Sequence, residues 1–431
     1  MKKLYLISLG CVKNLVDSEV MLGKLKKYQL TNNIEEADVI IINSCGFIES
    51  AKTETIETIF EVSELKKRDA LLVLAGCLSE RYKKELPKEL PEVDIFTGVG
   101  DYNKIDKLIE EKKSQFSDKV FLIKDEERVI TNSNYHTYIK LSEGCNQKCS
   151  FCAIPSFKGV LNSREIDEVI NEIKKLKEQG YKDFSLASQD SSSYLRDKGV
   201  RDGLERLIDE IDKIDNINVR ILYLYPTTTT KRLIKKILNS KNVQNYFDIP
   251  IQHISKTMLK KMKRGGSVIK LKELLNLMKT EFSFIRTSVI IGHPDESEEE
   301  FQELKDYLQF FQFDRVNIFA YSDEEGTSAY LMKNKIEKSI IDRRIKEVEE
   351  IVKFSTQQRI KNYLNREIEV FFDGLTDDGL FYSVRPKLWT PEVDGDILIN
   401  DSRVENLEIG GEYRVLITEI VGDDLIGTII K

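Results

Sequence analysis

Tyr138-Ile139-Lys140-Leu141-Ser142-Glu143-Gly144-Cys145-Asn146-Gln147-Lys148-Cys149-Ser150-Phe151-Cys152 reads as an apolar strand that runs straight into three cysteines spaced C-x3-C-x2-C. Three thiolates leave one iron of a 4Fe-4S cluster without a protein ligand, and such a vacant corner can hold a chelating small molecule and pass an electron into it. S-adenosylmethionine, which chelates through its amino and carboxylate groups, is the ligand this spacing suggests. A structural zinc site needs a fourth N or S donor, and the nearest one is His136, across the strand. Buried unreactive thiols are the other alternative, but a stretch holding Gly, Asn, Gln, Lys and Ser does not read as an apolar core.

Downstream of the triplet, short apolar runs alternate with helical periodicity. Strands are expected at about 138–142, 184–188, 218–224, 246–250, 284–291 and 314–320, separated by helical patterns such as Glu165–Glu178 and Ser297–Gln309. Six β/α units make an incomplete barrel, and in such barrels active sites lie where the strands end at their C-terminal side. The triplet falls directly after the first strand.

Upstream, Lys3–Ser8, Ala37–Asn43, Leu71–Gly76 and Val93–Phe96 are strand-like runs divided by helical segments, including Leu15–Lys27 and Ile48–Lys67. That alternation implies a doubly wound parallel sheet. Each remaining cysteine sits just past a strand: Cys11, Cys45 and Cys77. Ligand sites in open α/β sheets lie at the carboxyl ends of the strands, so three cysteines far apart in sequence should converge into a second trio with an open iron. Gly10, Gly46 and Gly76 stand beside them, where the absence of a side chain allows close backbone approach. Isolated, packed strand-end thiols are the competing reading.

Residues 116–135 read as a connector with an edge strand at Lys119–Ile123, and residues 338–362 as a long linking helix. Beyond it, short β-rich runs separated by Asp377-Asp378-Gly379, Gly410-Gly411 and Gly422-Asp423-Asp424 indicate a small antiparallel barrel over 363–431. This last segment holds 15 acidic and 6 basic residues, a net of −9 in a chain of −7, so the rest carries +2. Of 431 residues, 41% are apolar and 32% charged, ordinary for a globular protein. No apolar stretch reaches membrane-spanning length. Met1-Lys2-Lys3 with Leu4–Gly10 imitates a secretion signal, but Asn14, Asp17 and Glu19 follow at once, so the chain reads as cytoplasmic, where six cysteines point to metal ligation or catalysis rather than disulfides.

Taken together, these motifs resemble the methylthiotransferases, a radical S-adenosylmethionine family, across essentially the whole chain. Ser8-Leu9-Gly10-Cys11-Val12-Lys13-Asn14-Leu15-Val16-Asp17-Ser18-Glu19 and Asn43-Ser44-Cys45-Gly46-Phe47-Ile48-Glu49-Ser50-Ala51-Lys52 are similar to the ribosomal-protein aspartate branch, as are Ser188-Gln189-Asp190 and Asp248-Ile249-Pro250-Ile251-Gln252-His253. The resemblance implies a methylthiotransferase domain over 1–115, a radical S-adenosylmethionine barrel over 136–337 and a TRAM-like barrel over 363–431. It implies one 4Fe-4S cluster on Cys145, Cys149 and Cys152 that reductively cleaves S-adenosylmethionine, a second on Cys11, Cys45 and Cys77 that carries sulfur, and transfer of a methylthio group to the β-carbon of an aspartate. An unactivated C–H bond offers no proton for a His or Glu to remove, so two open irons facing one carbon is also what the chemistry asks for.

Supporting roles are expected for Phe151 beside the adenine, for Ser188 and Gln189 at the second strand end, and for Ser288 and Gly292 on the fifth strand, all toward the cofactor. His253 is expected to line the substrate cavity. Asp17 and Glu19 are read either as substrate contacts or as acids at a helix start, and Lys260-Lys261-Met262-Lys263-Arg264 as a solvated face. Gly292-His293-Pro294-Asp295-Glu296 departs from the family, which carries an aromatic before the proline and a glycine after it, and leaves the part played by His293 open. The expected partners are a basic small-subunit ribosomal protein and an electron donor, without direct nucleic-acid contact, because an acidic module repels phosphate. A tRNA adenosine methylthiotransferase and an iron-sulfur electron carrier or redox sensor are the alternatives.

Overall fold

The computed structural model describes residues 1–431. Its N-terminal sheet is wholly parallel, ordered Gln29–Leu30, Lys3–Ser8, Val39–Ser44, Leu71–Gly76, Ile95–Phe96. Burial on both faces explains the continuous apolar runs. Val39 and Ile41 point into one core, with Val16, Val20 and Met21 of helix Val12–Lys24, while Ile40 and Ile42 point into another, with Ile59 and Val62 of helix Glu49–Leu65.

Strands His136–Lys140, Asp183–Ala187 and Asn218–Ile221 form one parallel half of the central barrel, and Tyr246–Asp248, Phe284–Ile291 and Arg315–Ala320 the other. Between the halves the ladder thins to a bridge at Val219 and Val243 and a bond from Leu224 N–H to the Asp248 carbonyl (2.7 Å). Helices Ile166–Glu178 and Glu298–Phe311 both start with reciprocal capping boxes, through Glu165 with Glu168 and Ser297 with Glu300. Helix Val12–Lys24 packs beside the first barrel strand, so the N-terminal domain covers the open side.

Two expectations change. Residues 119–123 form no strand: Phe121 and Ile123 are buried, but the segment is stitched to its neighbours by one ladder-like bond, from Phe121 N–H to the Val99 carbonyl, and by the edge of Tyr102. The C-terminal barrel is closed, and four of its five strand pairings are antiparallel; Ile397–Ser402 and Asp424–Ile429 run parallel. Long connections over 387–396 and 403–411 let these two strands meet with the same polarity.

This barrel docks on the N-terminal ends of the central strands, the end remote from the cysteine triplet. Trp389 packs on Phe284, which stacks on Tyr246. Arg385 ion-pairs with Asp183 at 2.9 Å, and Asp183 with Arg220 at 2.9 Å, all buried. Burial opposes ionisation of Asp183, but the two guanidiniums outweigh it and hold the carboxyl down at about 2. Its stabilisation is therefore complete above about pH 4, the ordinary carboxylate value, and is lost as the pH falls toward 2. Arg385→Met should lower stability by about 3–5 kcal/mol at neutral pH, seen as a lower urea midpoint. An unchanged midpoint would mean the pair contributes nothing to docking.

Candidate iron-sulfur and cofactor site

The three N-terminal cysteines do converge. Strands Lys3–Ser8, Val39–Ser44 and Leu71–Gly76 end in register along one edge. Cys11 caps helix Val12–Lys24, and Cys77 opens the short helix Cys77–Arg81. A side chain on Gly10 would strike Cys45 Sγ at 2.8 Å, and one on Gly46 would strike the backbone of Leu78 at 2.8 Å. The glycines thus let the cysteine loops close on one another. Asn14 staples all three: its amide donates to the carbonyls of Leu9 (3.1 Å) and Ser44 (2.9 Å), and its oxygen accepts from the Cys77 thiol (3.6 Å). No role was expected for Asn14; its place one turn into the helix after Cys11 is the signal that marks it.

The thiols of this trio are not equivalent. Burial raises Cys77 to about 12 and, with the neighbouring Cys11, raises Cys45 to about 11. Burial also opposes ionisation of Cys11, but Lys13, Lys158 and backbone N–H groups outweigh it and hold that thiol below its ordinary value.

Cys145, Cys149 and Cys152 share one loop tied down on every side. Gly159 accepts from Cys145 N–H (3.1 Å), Gln147 N–H points at Cys145 Sγ (3.4 Å), and the Gln147 amide reaches Asp190 (2.8 Å). Ser150 bonds through its backbone to Met262 and Ala329, and through its hydroxyl to His293 Nε2 (3.0 Å). His293 therefore props the triplet from behind. Cys149 Sγ faces Tyr225 Oη (3.4 Å) and the Arg264 guanidinium (3.6 Å), which stacks on the Tyr225 ring. Met262 and Arg264 are buried, so the expected solvated face at 260–264 is corrected: its C-terminal end turns inward where Lys263 adopts a left-handed backbone.

Between the trios lies a buried ion cluster. Lys140 pairs with Asp17 and with Glu143 (2.7 Å), and Lys158 with the same two carboxylates (3.4 and 3.5 Å). Burial disfavours the Glu143 carboxylate, yet Lys140, Lys158 and a hydrogen bond from Gln189 hold it down at about 2. Helix Ile154–Lys158, which starts two residues after Cys152, packs on the helix that Cys77 opens. The two trios thus belong to one interface.

The remaining residues fall into two groups. Gln189 joins the ion cluster, and Ser188 bonds to Ser191 (3.0 Å) at the same strand end. Phe151 packs edge-on to His293 and against Met258, Met262 and Ile290. Ser288 lies mid-strand, its carbonyl accepting from Gln252 N–H (2.8 Å). Others are committed elsewhere. A Cβ on Gly292 would meet Ile341 at 2.4 Å, and its N–H goes to Glu296, so the space beside it belongs to the long helix. His253 is fully buried; Nδ1 accepts from Ser255 N–H, and Nε2, without a hydrogen bond, faces Glu296 at 3.5 Å rather than open space. Glu19 pairs with Arg128 (3.2 Å) in the interior, and Asp17 belongs to the ion cluster, so neither is a solvated helix-start acid.

No three His, Cys, Asp or Glu side chains are gathered tightly enough to chelate a single ion. A 4Fe-4S cluster asks for something different, since each thiolate ligates its own iron. An all-thiol donor set, sulfur-directed N–H groups and a nearby cation fit that group.

Residues 3–98 match uncharacterized protein family UPF0004, 139–308 the radical SAM superfamily and 366–430 the TRAM domain. Ribosomal protein uS12 methylthiotransferase RimO from Nitratiruptor sp. is 57% identical over 431 residues, covering 99% of both chains. The proteins of the same name from Aliarcobacter butzleri and Wolinella succinogenes are 54% and 52% identical, over 100% of this chain and 98% and 99% of theirs. The chain belongs to the RimO family. Among solved structures, the radical S-adenosylmethionine methyltransferase TsrM from Kitasatospora setae matches with a TM-score of 0.55 at 14% identity, over 74% of this chain and 73% of that one. This likeness concerns the fold of the RimO-family chain alone.

In the metal-free protein, alkylation at about pH 7.5 should label Cys11 well before Cys45 and Cys77, because the thiolate is the reactive form. Mass spectrometry of the digested protein reads the order, and equal rates would contradict the electrostatics described here.

Proposed function

We propose that this chain is a ribosomal protein uS12 methylthiotransferase that modifies the β-carbon of an aspartate, with Cys145, Cys149 and Cys152 holding one 4Fe-4S cluster and Cys11, Cys45 and Cys77 the other. The observation that carries this reading is the meeting of the two thiol trios at one inter-domain interface. When bound, the first of these clusters supplies the electron that cleaves S-adenosylmethionine, and the second presents sulfur.

The chain's own residues arrange the encounter. His293 and Ser150 fix the triplet loop, Phe151 offers an aromatic face beside it, Ser188 and Gln189 place polar groups at a strand end, and Ser288 adds one from mid-strand, around the cofactor. Arg264 keeps a cation against Cys149, beside the sulfur that would ligate the cluster. The ion cluster of Asp17, Lys140, Glu143 and Lys158 keeps the domains docked. On this reading residues 1–115 carry sulfur, 116–135 connect, 136–337 generate the radical, and 338–362 lead to the TRAM-like module at 363–431. The setting is the cytoplasm, where uS12 and an electron donor are met.

Anaerobic reconstitution should give about eight irons per chain, the sum of two four-iron clusters, and the reduced enzyme should add the mass of a methylthio group to an aspartate peptide from uS12. Replacing Cys11, Cys45 and Cys77 together by Ala should leave about four irons and abolish the mass gain. Four irons in the unchanged protein would sink the two-cluster reading.

The acidic barrel sits at the far end of the central strands, so it cannot grip the target aspartate. It suits the basic remainder of a ribosomal protein, by long-range attraction that raises encounter rates and weakens with salt. Asp377, Asp378 and Asp423 stand exposed in its turns, and Asp424 at the start of its last strand. Changing all four to Asn should slow association with uS12 at low salt and flatten its salt dependence, measured by stopped-flow. Identical rates would remove the module from substrate capture.

A further inference from the structure

The ion cluster between the trios has an odd member. Asp17 and Glu143 are each matched by Lys140 and Lys158, whereas the Lys13 ammonium makes no hydrogen bond and no ion pair, although only 9% of the residue is exposed. Its ammonium lies 3.8 Å from the centroid of the Tyr223 ring. A cation over an aromatic face recovers less than burying an ammonium costs. Three cations against two carboxylates leave Lys13 without a carboxylate of its own.

Lys13 also has the right address. It follows Cys11 by two residues, and its field reaches Cys11 and Glu143, the latter two residues before Cys145. Tyr223 stands just past the C-terminal end of strand Asn218–Ile221, on the side of the barrel where the triplet begins. Its backbone is left-handed (φ 59°), an outlier for so bulky a residue, and its N–H is fixed on Asp248 Oδ2 at 3.1 Å. Strain of this kind concentrates at functional sites; here it aims the ring at Lys13 across the domain boundary.

We propose that Lys13 is the specificity residue for the substrate aspartate, its ammonium pairing with the side-chain carboxylate in the space between the two cysteine trios. The proposal rests on the methylthiotransferase reading and adds to it the group that selects the substrate. No carboxylate of the chain pairs with this ammonium, so an anion from outside can, and pinning the carboxylate fixes the adjacent β-carbon. Asparagine has the same shape but no charge, and leaves the ammonium unpaired.

The test uses reconstituted holoenzyme and two uS12 peptides, with Asp or Asn at the target position. The wild type should bind the Asp peptide at least about tenfold more tightly, a difference of about 1.4 kcal/mol. Lys13→Met should bring the ratio close to one at unchanged iron content, and Lys13→Arg should restore part of it. The proposal is overturned if the wild type does not discriminate, if Lys13→Met keeps the ratio, or if that variant instead loses affinity for S-adenosylmethionine with the ratio intact. The last two results would assign the ammonium to charge balance around the thiolates or to the cofactor. Should Lys13→Met fail to assemble clusters, the wild-type ratio and Lys13→Arg still decide. A wild type that binds the Asp peptide but never modifies it defeats the underlying functional reading, a result distinct from modification without discrimination.

Discussion

Burying ions is unfavourable unless each finds its counter-ion, and the junction between the first two domains is built on that constraint. Asp17 comes from the N-terminal helix, Lys140 and Glu143 from the first barrel strand and its turn, and Lys158 from the helix after the triplet. Removing any one leaves another stranded in a low-dielectric interior, which is far more costly than losing a surface pair. Because the network joins segments flanking both cysteine trios, the geometry between them is set by electrostatics. A purely apolar interface would slide more easily.

Within the N-terminal domain, convergence follows from the parallel sheet itself. Strands of equal polarity end at one edge, and the side-chain alternation of Val39 to Ile42 feeds two cores at once. This much could be read from the runs of apolar residues and the glycines. What could not be read is the polar stitching. Asn14 looks like any residue in a first helical turn until three loops are seen around it. Arg264 sits in a lysine-rich run whose composition says solvent, and only the left-handed turn at Lys263 swings it onto Cys149. His253 ends a family-like stretch and Gly292 opens one that departs from the family, yet for both the space they face is occupied, by Glu296 and Ile341. Such outcomes depend on contacts from elements far away in sequence.

The central barrel uses its two ends differently. Thiols and the ion cluster gather where the strands finish, and the acidic barrel covers where they start, through Trp389, Arg385 and the carboxylate of Asp183. The connector at 119–123 shows the same economy: two buried side chains and one backbone bond hold a segment whose alternation had looked like an edge strand. Local pattern is ambiguous there because Phe121 and Ile123 need only a pocket, not a partner strand.

Gly410 bears on how separable these parts are. Its φ of 75° turns the loop onto Tyr135, where a Cβ would meet the tyrosine's own Cβ at 2.7 Å. Tyr135 in turn bonds to Arg385 (2.8 Å) and Asp373, so the C-terminal module is keyed into a socket that the middle of the chain provides. Exchanging this module between relatives, as one would shuffle beads on a string, therefore transplants a plug without its receptacle; a working chimera must carry Tyr135, Asp183 and Arg220 with it.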